Sequence, residues 1–261
     1  MENKLLGGQM PLGQTAPEFK TLIDIVKLPS KGNFYQNGKG EIYVEHMSAK
    51  DEQILTTPAL VENGKATKIL IERKVKDPDF KGIDYLVGDE NAILLFLRMS
   101  AYGPFYDVKT ISPFNNEIFT EKIDLRKIEE KIPKIKPNSD LLFDYSTSDD
   151  KHNIRFKLLF SSEQEAIKNR AEAKMKINGG IDETPIERLI NQIVELDGNK
   201  DKMRIRSYVD TLRPVIFKEI IKYIDEVTPG LDMRYTYTCP VTGENFQSYI
   251  LINSSFFYPE S

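Results

Sequence analysis

One cysteine and two histidines are the whole supply of thiol and imidazole in this chain of 261 residues, so any chemistry must draw mainly on carboxylates, hydroxyls and cations. The cysteine stands in Cys239-Pro240-Val241-Thr242-Gly243, which has the outline of a zinc-ribbon knuckle. A structural zinc ion needs four thiolate or imidazole donors. Here the second thiolate position holds Thr242, so the segment reads as a tight turn shaped by proline and glycine. As a nucleophile Cys239 would need a nearby base, and neither His46 nor His152 lies in a catalytic pattern. Cys239 is expected to be a small, buried, structural side chain.

Paired carboxylates in unlike environments can do acid–base work. Asp51-Glu52 and Asp89-Glu90 are adjacent pairs, but each falls at a predicted helix start, where capping and the helix dipole account for it. There is no Gly-x-Gly-x-x-Gly and no Walker-type loop to cradle a phosphate. Arg204, Arg206 and Arg213 share a helical region and read first as a solvated face, and second as a place to meet phosphate or an acidic partner. These residues assign no catalytic site, no metal site and no cofactor. Phe256-Phe257-Tyr258 is harder to set aside, because three adjacent aromatics must either dock on their own domain or insert into a partner.

The element that organises the chain is a predicted helix from Gly88 to Gly103. Ile93, Leu94, Leu97 and Ala101 form one stripe, which Phe96 and Met99 widen. Asp89 is placed to accept first-turn amides, Gly103 to stop the helix and Pro104 to prevent its continuation. The apolar run Ile93 to Leu97 is far short of the ~20 residues that cross a bilayer. Arg98 is the one charge in this run, and it is expected to meet a carboxylate or to cap backbone carbonyls.

Before this helix, Glu41 to His46 alternates as a strand, Ser48 to Asp51 suggests a capping box, and a second helix is predicted over about 62–74. After it, residues 105–111 and 117–125 read as a hairpin, and 141–145 with 153–160 as another strand pair. Helices follow over 161–176, from Thr184-Pro185 to Gly198, and over 202–227 with a division at Pro214. A last hairpin pairs 235–238 with 246–252. Residues 1–20, rich in Gly, Pro and Gln and without an apolar core, read as a flexible arm rather than a signal peptide.

The totals fit a folded protein, with 40% hydrophobic and 29% charged residues. A net charge of -4 and a pI near 5.5 argue against a general binder of nucleic acid or anionic membrane. A single cysteine allows no intramolecular disulfide.

Four ordered patterns carry a resemblance. They are Leu28-Pro29-Ser30-Lys31-Gly32-Asn33-Phe34-Tyr35, Met47 to Thr56, Gly88-Asp89-Glu90-Asn91-Ala92 through Leu97-Arg98 to Tyr102-Gly103 and Tyr106, and the Cys239-Pro240 hairpin ending in Phe256-Phe257-Tyr258-Pro259. Together they resemble the T4-like phage baseplate hub subunit and hub-assembly family. That resemblance implies a tailed-phage protein acting in the assembly or structure of the central hub of a contractile-tail baseplate. It also implies Cys-x-x-Cys knuckles at two hairpins, where this chain has Ser112-Pro113-Phe114-Asn115 and Cys239-Pro240-Val241-Thr242. With those ligands lost, Phe114, Phe119, Tyr237 and Phe246 are the candidates to hold the hairpins by packing.

The expected fold is α+β, helices with antiparallel β-hairpins, two of them degenerate zinc-ribbon-like. Four parts are expected: the 1–20 arm, a 21–125 region with the central helix, a 126–160 connector and strand pair, and a helical 161–261 region that packs its hairpin on the first one. The expected function is non-enzymatic and exercised through protein–protein contacts with other tail and baseplate hub proteins, in the host cytoplasm during assembly and in the virion tail baseplate. Pro29, Phe34, Tyr35, Phe256, Phe257 and Tyr258 are the expected partner-binding residues, and Asp89, Arg98, Gly103 and Cys239 the structural ones. Two rival classes are a tail-associated cell-wall hydrolase, which needs two carboxylates converging in a cleft, and a nucleic-acid-associated factor, which needs a contiguous basic face.

Overall fold

A computed structural model describes residues 21–62, 64–148, 152–252 and 254–257. The arm at 1–20 and Tyr258 lie outside the described residues. The chain opens with strands β1 (Ile23–Lys27) and β2 (Glu41–Glu45), then helices α1 (Ala49–Thr56), α2 (Pro58–Glu62), α3 (Ala66–Lys74) and α4 (Val87–Tyr102). The hairpin β3 (Phe105–Ile111) and β4 (Ile118–Asp124) follows, then the short β5 (Glu130–Lys131) and the pair β6 (Leu142–Ser146) and β7 (Asn153–Lys157). Next come α5 (Ser161–Met175), α6 (Thr184–Gln192), β8 (Ile193–Leu196), α7 (Lys202–Asp210) and α8 (Pro214–Val227). The short β9 (Gly230–Leu231) and the hairpin β10 (Arg234–Thr238) and β11 (Asn245–Tyr249) complete the order. All sheets among the described residues are small and antiparallel: β1-β2, β3-β4, β5-β9, β10-β11 and the three-stranded β6-β7-β8. The architecture is α+β.

The buried apolar side chains form two clusters. The first draws on both ends of the chain and includes Ile42, Leu70, Ile93, Leu97, Ile123, Tyr237, Phe256 and Phe257. The second is built mainly from the middle, with Phe143, Phe156, Leu189, Ile193, Ile205 and Ile220 at its centre. Two pairs of sequence neighbours divide between them. Tyr35 and Tyr85 enter the first cluster, whereas Phe34 and Leu86 enter the second.

The join is close-packed. In the first turn of α4, a Cβ built on Gly88 would lie 2.2 Å from the Pro229 carbonyl oxygen and 2.5 Å from Gly230 Cα. Glycine lets α4 rest directly on the β9 backbone, while β9 pairs with β5 in the connector. At the other end, Gly103 takes φ +80° and donates its amide to the Met99 carbonyl at 3.0 Å, so the expected stop works through a left-handed glycine.

Several expectations change. The predicted helix ending at Gly198 ends instead at Gln192, and Ile193–Leu196 becomes a third strand beside β7. The predicted helix over 62–74 starts at Ala66, after the short α2. The strand predicted to reach residue 160 ends at Lys157, and α5 begins at Ser161.

Candidate functional site

The start of α4 shows how the expected site residues are used. Leu86, not Asp89, takes the N-cap position, and Asp89 is fully buried. Its carboxylate accepts the Ser30 amide at 2.9 Å and the Tyr35 hydroxyl at 2.6 Å. The same hydroxyl accepts the Leu86 amide at 3.2 Å. Burial pushes the Asp89 carboxyl above its ordinary value, against the opposing pull of the Ser30 and Tyr35 bonds. Burial likewise pushes the Tyr35 phenol up, with Asp89 adding to it. Asp89 is therefore a structural anchor for the Pro29–Tyr35 loop rather than a cap.

That anchoring turns the loop's apolar residues inward, while Lys31 and Asn33 stay exposed. Pro29, Phe34 and Tyr35, read from the sequence as docking residues, are all buried within this chain. Phe34 stacks with Phe143, and Tyr35 meets Phe80 and Tyr85 edge-on.

The C-terminal aromatics turn inward too. Phe256 and Phe257 are buried, and Phe256 packs edge-on against Tyr106 at 4.9 Å. Arg98 Nε donates to the Phe256 carbonyl at 2.9 Å, and its guanidinium lies over the rings of Tyr102 and Tyr106 at 4.6 and 5.5 Å. Arg98 thus caps a backbone carbonyl, and burial lowers its guanidinium from the ordinary value. Its Nη1 has no hydrogen-bond partner among the described residues. Phe256 and Phe257 therefore belong to the chain's own core and are not presented as an exposed docking surface.

The two knuckles stand side by side. Cys239 is buried, its Sγ lies 3.9 Å from Asn115 Oδ1, and hydrogen bonds with Ser112 and Thr242 lower its thiol to about 7. Phe114, Phe119 and Tyr237 all pack against Phe246, at 6.2, 6.2 and 5.5 Å. Tyr235 donates to Glu121 across the same contact at 3.1 Å. Among the described residues, no group of three or more His, Cys, Asp or Glu could hold a metal ion.

Other charges are spent internally. Asp51 takes the Ser48 amide and hydroxyl at 2.8 and 2.7 Å, so the capping box forms, and it also meets Lys74 at 2.9 Å and Arg73 at 2.8 Å. Burial works to raise its carboxyl, but Lys74 and Ser48 outweigh it and hold it low. Glu187 accepts from Arg206 Nη1 and Nη2, each at 3.1 Å, and from Lys174 at 2.6 Å. Arg206, with Lys174 and against burial, holds its carboxyl down at about 2.

A groove of about 740 Å³ runs between α3, α4 and the start of α5. Ile71, Tyr85 and Leu94 give it an apolar floor, and Asp84, Glu90 and Glu165 also line it. The Ser161 hydroxyl donates to Glu90, and the Ser162 amide and hydroxyl donate to Asp84, so the first turn of α5 is stitched to α4 and the segment before it. Burial pushes the Glu90 carboxyl up, Asp84 and Glu165 add to this, and Ser161 and Lys68 offset it only in part. Sequence reasoning missed this groove. The one available signal, Glu90 beside Asp89, was absorbed into helix capping.

Fold and site together define an α+β protein whose polar clusters mostly hold the chain to itself. The family model described as T4 bacteriophage base plate protein matches residues 22–258, and the chain belongs to that family. No curated protein and no solved structure matches it. Among the described residues, no helix is long and apolar enough to cross a membrane.

Proposed function

We propose that this chain is a non-enzymatic component of the central baseplate hub of a contractile-tailed phage, acting through contacts with other tail and hub proteins. The family match over residues 22–258 is the observation that carries this reading, since it spans both cores and the paired hairpins. Assembly would take place in the host cytoplasm and deliver the chain to the tail baseplate. Mass spectrometry of baseplate intermediates and of finished particles tests this. Presence in both supports a permanent subunit, presence in intermediates alone an assembly factor, and absence from both overturns the proposal.

The hydrolase reading keeps one favouring observation: Asp84, Glu90 and Glu165 line one groove, and the Glu90 carboxyl is held above its ordinary value. Against it, Asp84 and Glu90 are each engaged by serines of α5. Clearing of a cell-wall suspension by the purified protein, abolished in Glu90→Gln, would establish that reading, and no clearing removes it. Against the nucleic-acid reading, two of its three arginines have acidic neighbours: Arg206 pairs with Glu187 and Arg204 lies 3.9 Å from Asp197.

A further inference from the structure

We propose that the groove between α3, α4 and α5 is the docking site for an amphipathic helix of a partner baseplate protein, one that presents a lysine or arginine to Asp84, Glu90 and Glu165. This rests on the baseplate reading above and names the partner's chemistry. Three observations lead to it.

The first is the nature of the walls. Most of the lining comes from helices, whose interior amides and carbonyls are already paired along the helix, and in the non-helical 83–85 stretch that also lines it the Tyr85 carbonyl already accepts the Ser161 amide at 2.8 Å. An extended peptide laid there would find no ladder to join and would leave its own backbone unpaired. A helix brings its backbone hydrogen bonds with it and asks only for a surface that takes its side chains.

The second is the floor. Ile71, Tyr85 and Leu94 close the bottom of the groove but are themselves buried in the first core, and the partly exposed Val61, Ile83, Val87 and Ile252 in the lining supply the apolar surface for a partner's anchors. A volume of about 740 Å³ suits the anchors of one helix face, spaced i, i+3, i+4 and i+7.

The third is charge. The lining holds Glu72, Asp84, Glu90, Glu165 and Glu172 against Lys65, Lys68 and Lys168. Lys168 already faces Glu172 at 3.8 Å on its own helix. The lining therefore holds two more carboxylates than cations; Lys68 acts on Glu90, but the described hydrogen-bond donors to Asp84 and Glu90 are the serines that open α5. A cation brought into this partly buried lining answers its excess of negative charge, and it selects basic helices over acidic ones.

The test uses the full chain and overlapping labelled peptides that tile the other tail proteins of the same phage. Binding is read by fluorescence anisotropy and helicity by circular dichroism. The expected result is a peptide bearing Lys or Arg among apolar residues that gains helicity on binding. Its affinity should fall by about tenfold or more in Glu165→Lys, which leaves the Glu90–Ser161 bond in place, and fall again in Glu90→Gln. The unbound spectra of both variants should match the parent, which keeps folding out of the comparison. The proposal is overturned if no peptide binds, if the bound peptide is indifferent to Glu165→Lys, or if it stays extended. If no peptide binds while the chain still co-sediments with baseplate intermediates, the groove assignment falls and the baseplate reading stands. Absence from those intermediates overturns both.

Discussion

The Tyr35 hydroxyl donates to Asp89 at 2.6 Å and accepts the Leu86 amide at 3.2 Å, so one oxygen ties a loop to the first turn of a helix more than fifty residues away. Tyr35→Phe leaves Asp89 short of a donor and the Leu86 amide without its acceptor. The expected loss is about 2–3 kcal/mol, because a bond to a buried charge is broken. A urea midpoint that falls with an unchanged slope would register it, and an unchanged midpoint would refute it.

Asp89 also sets a pH dependence. Its folded-state carboxyl is raised, so across that window the folded chain holds a proton that the unfolded chain has released. Its contribution is full below the ordinary carboxylate range and is lost as pH rises through the raised value. In Asp89→Asn this slope should disappear, which paired denaturation curves at several pH values would reveal.

Glu187 runs the opposite way. Its carboxyl is held at about 2 by Arg206 and Lys174, against an ordinary value of 4.5. Its contribution is present above the ordinary value and is lost as pH falls from there towards 2. Glu187→Gln should cost about 2 kcal/mol at neutral pH, a figure lowered because Arg206 is partly exposed, and should flatten the acid limb of the stability profile. Equal acid sensitivity in both proteins would count against the pair.

Arg98 predicts an ordering of variants. Arg98→Ala removes the donor to Phe256 and the packing under Tyr102 and Tyr106, whereas Arg98→Met keeps the bulk and removes a buried charge that has no carboxylate within bonding distance among the described residues. Alanine should therefore destabilise more than methionine, by about 1–2 kcal/mol. Hydrogen exchange at Phe256 and Phe257 should quicken in both.

Gly88→Ala places a methyl 2.2 Å from the Pro229 carbonyl oxygen and should cost about 1–3 kcal/mol. Gly230→Ala is the control: its Cβ would meet Gly88 Cα at 3.4 Å, an ordinary contact, and should cost less. Thermal melts of the two variants decide it, and equal losses would contradict the close approach.

Local signals carried the sequence reading furthest where they were self-contained. The apolar stripe of α4, the left-handed stop at Gly103 and the Ser48–Asp51 box depend on residues a few positions apart. The β3-β4 and β10-β11 hairpins were legible for the same reason, and Phe114, Phe119 and Tyr237 each pack against Phe246. The strand at Ile193–Leu196 was hidden because its apolar residues continue the stripe of α6 with no breaker between. Pairing with Ile154 to Phe156 overrides the helical pattern there. Asp89 was misread because its partners, Ser30 and Tyr35, are 59 and 54 residues away. The aromatics at 256 and 257 carried no local sign of their destination, since Arg98 lies 158 residues upstream.

The division of Phe34 from Tyr35, and of Tyr85 from Leu86, bears on synthesis. The cluster around Phe156 and Ile220 takes most of its members from one continuous middle stretch, whereas the cluster around Ile93 includes Tyr237, Ile250, Phe256 and Phe257. A ribosome therefore delivers the middle core nearly whole while the other still waits for its final pieces. During that interval the apolar faces of α4 and the first hairpin stay uncovered, and the first core closes only once residues 237–257 have emerged.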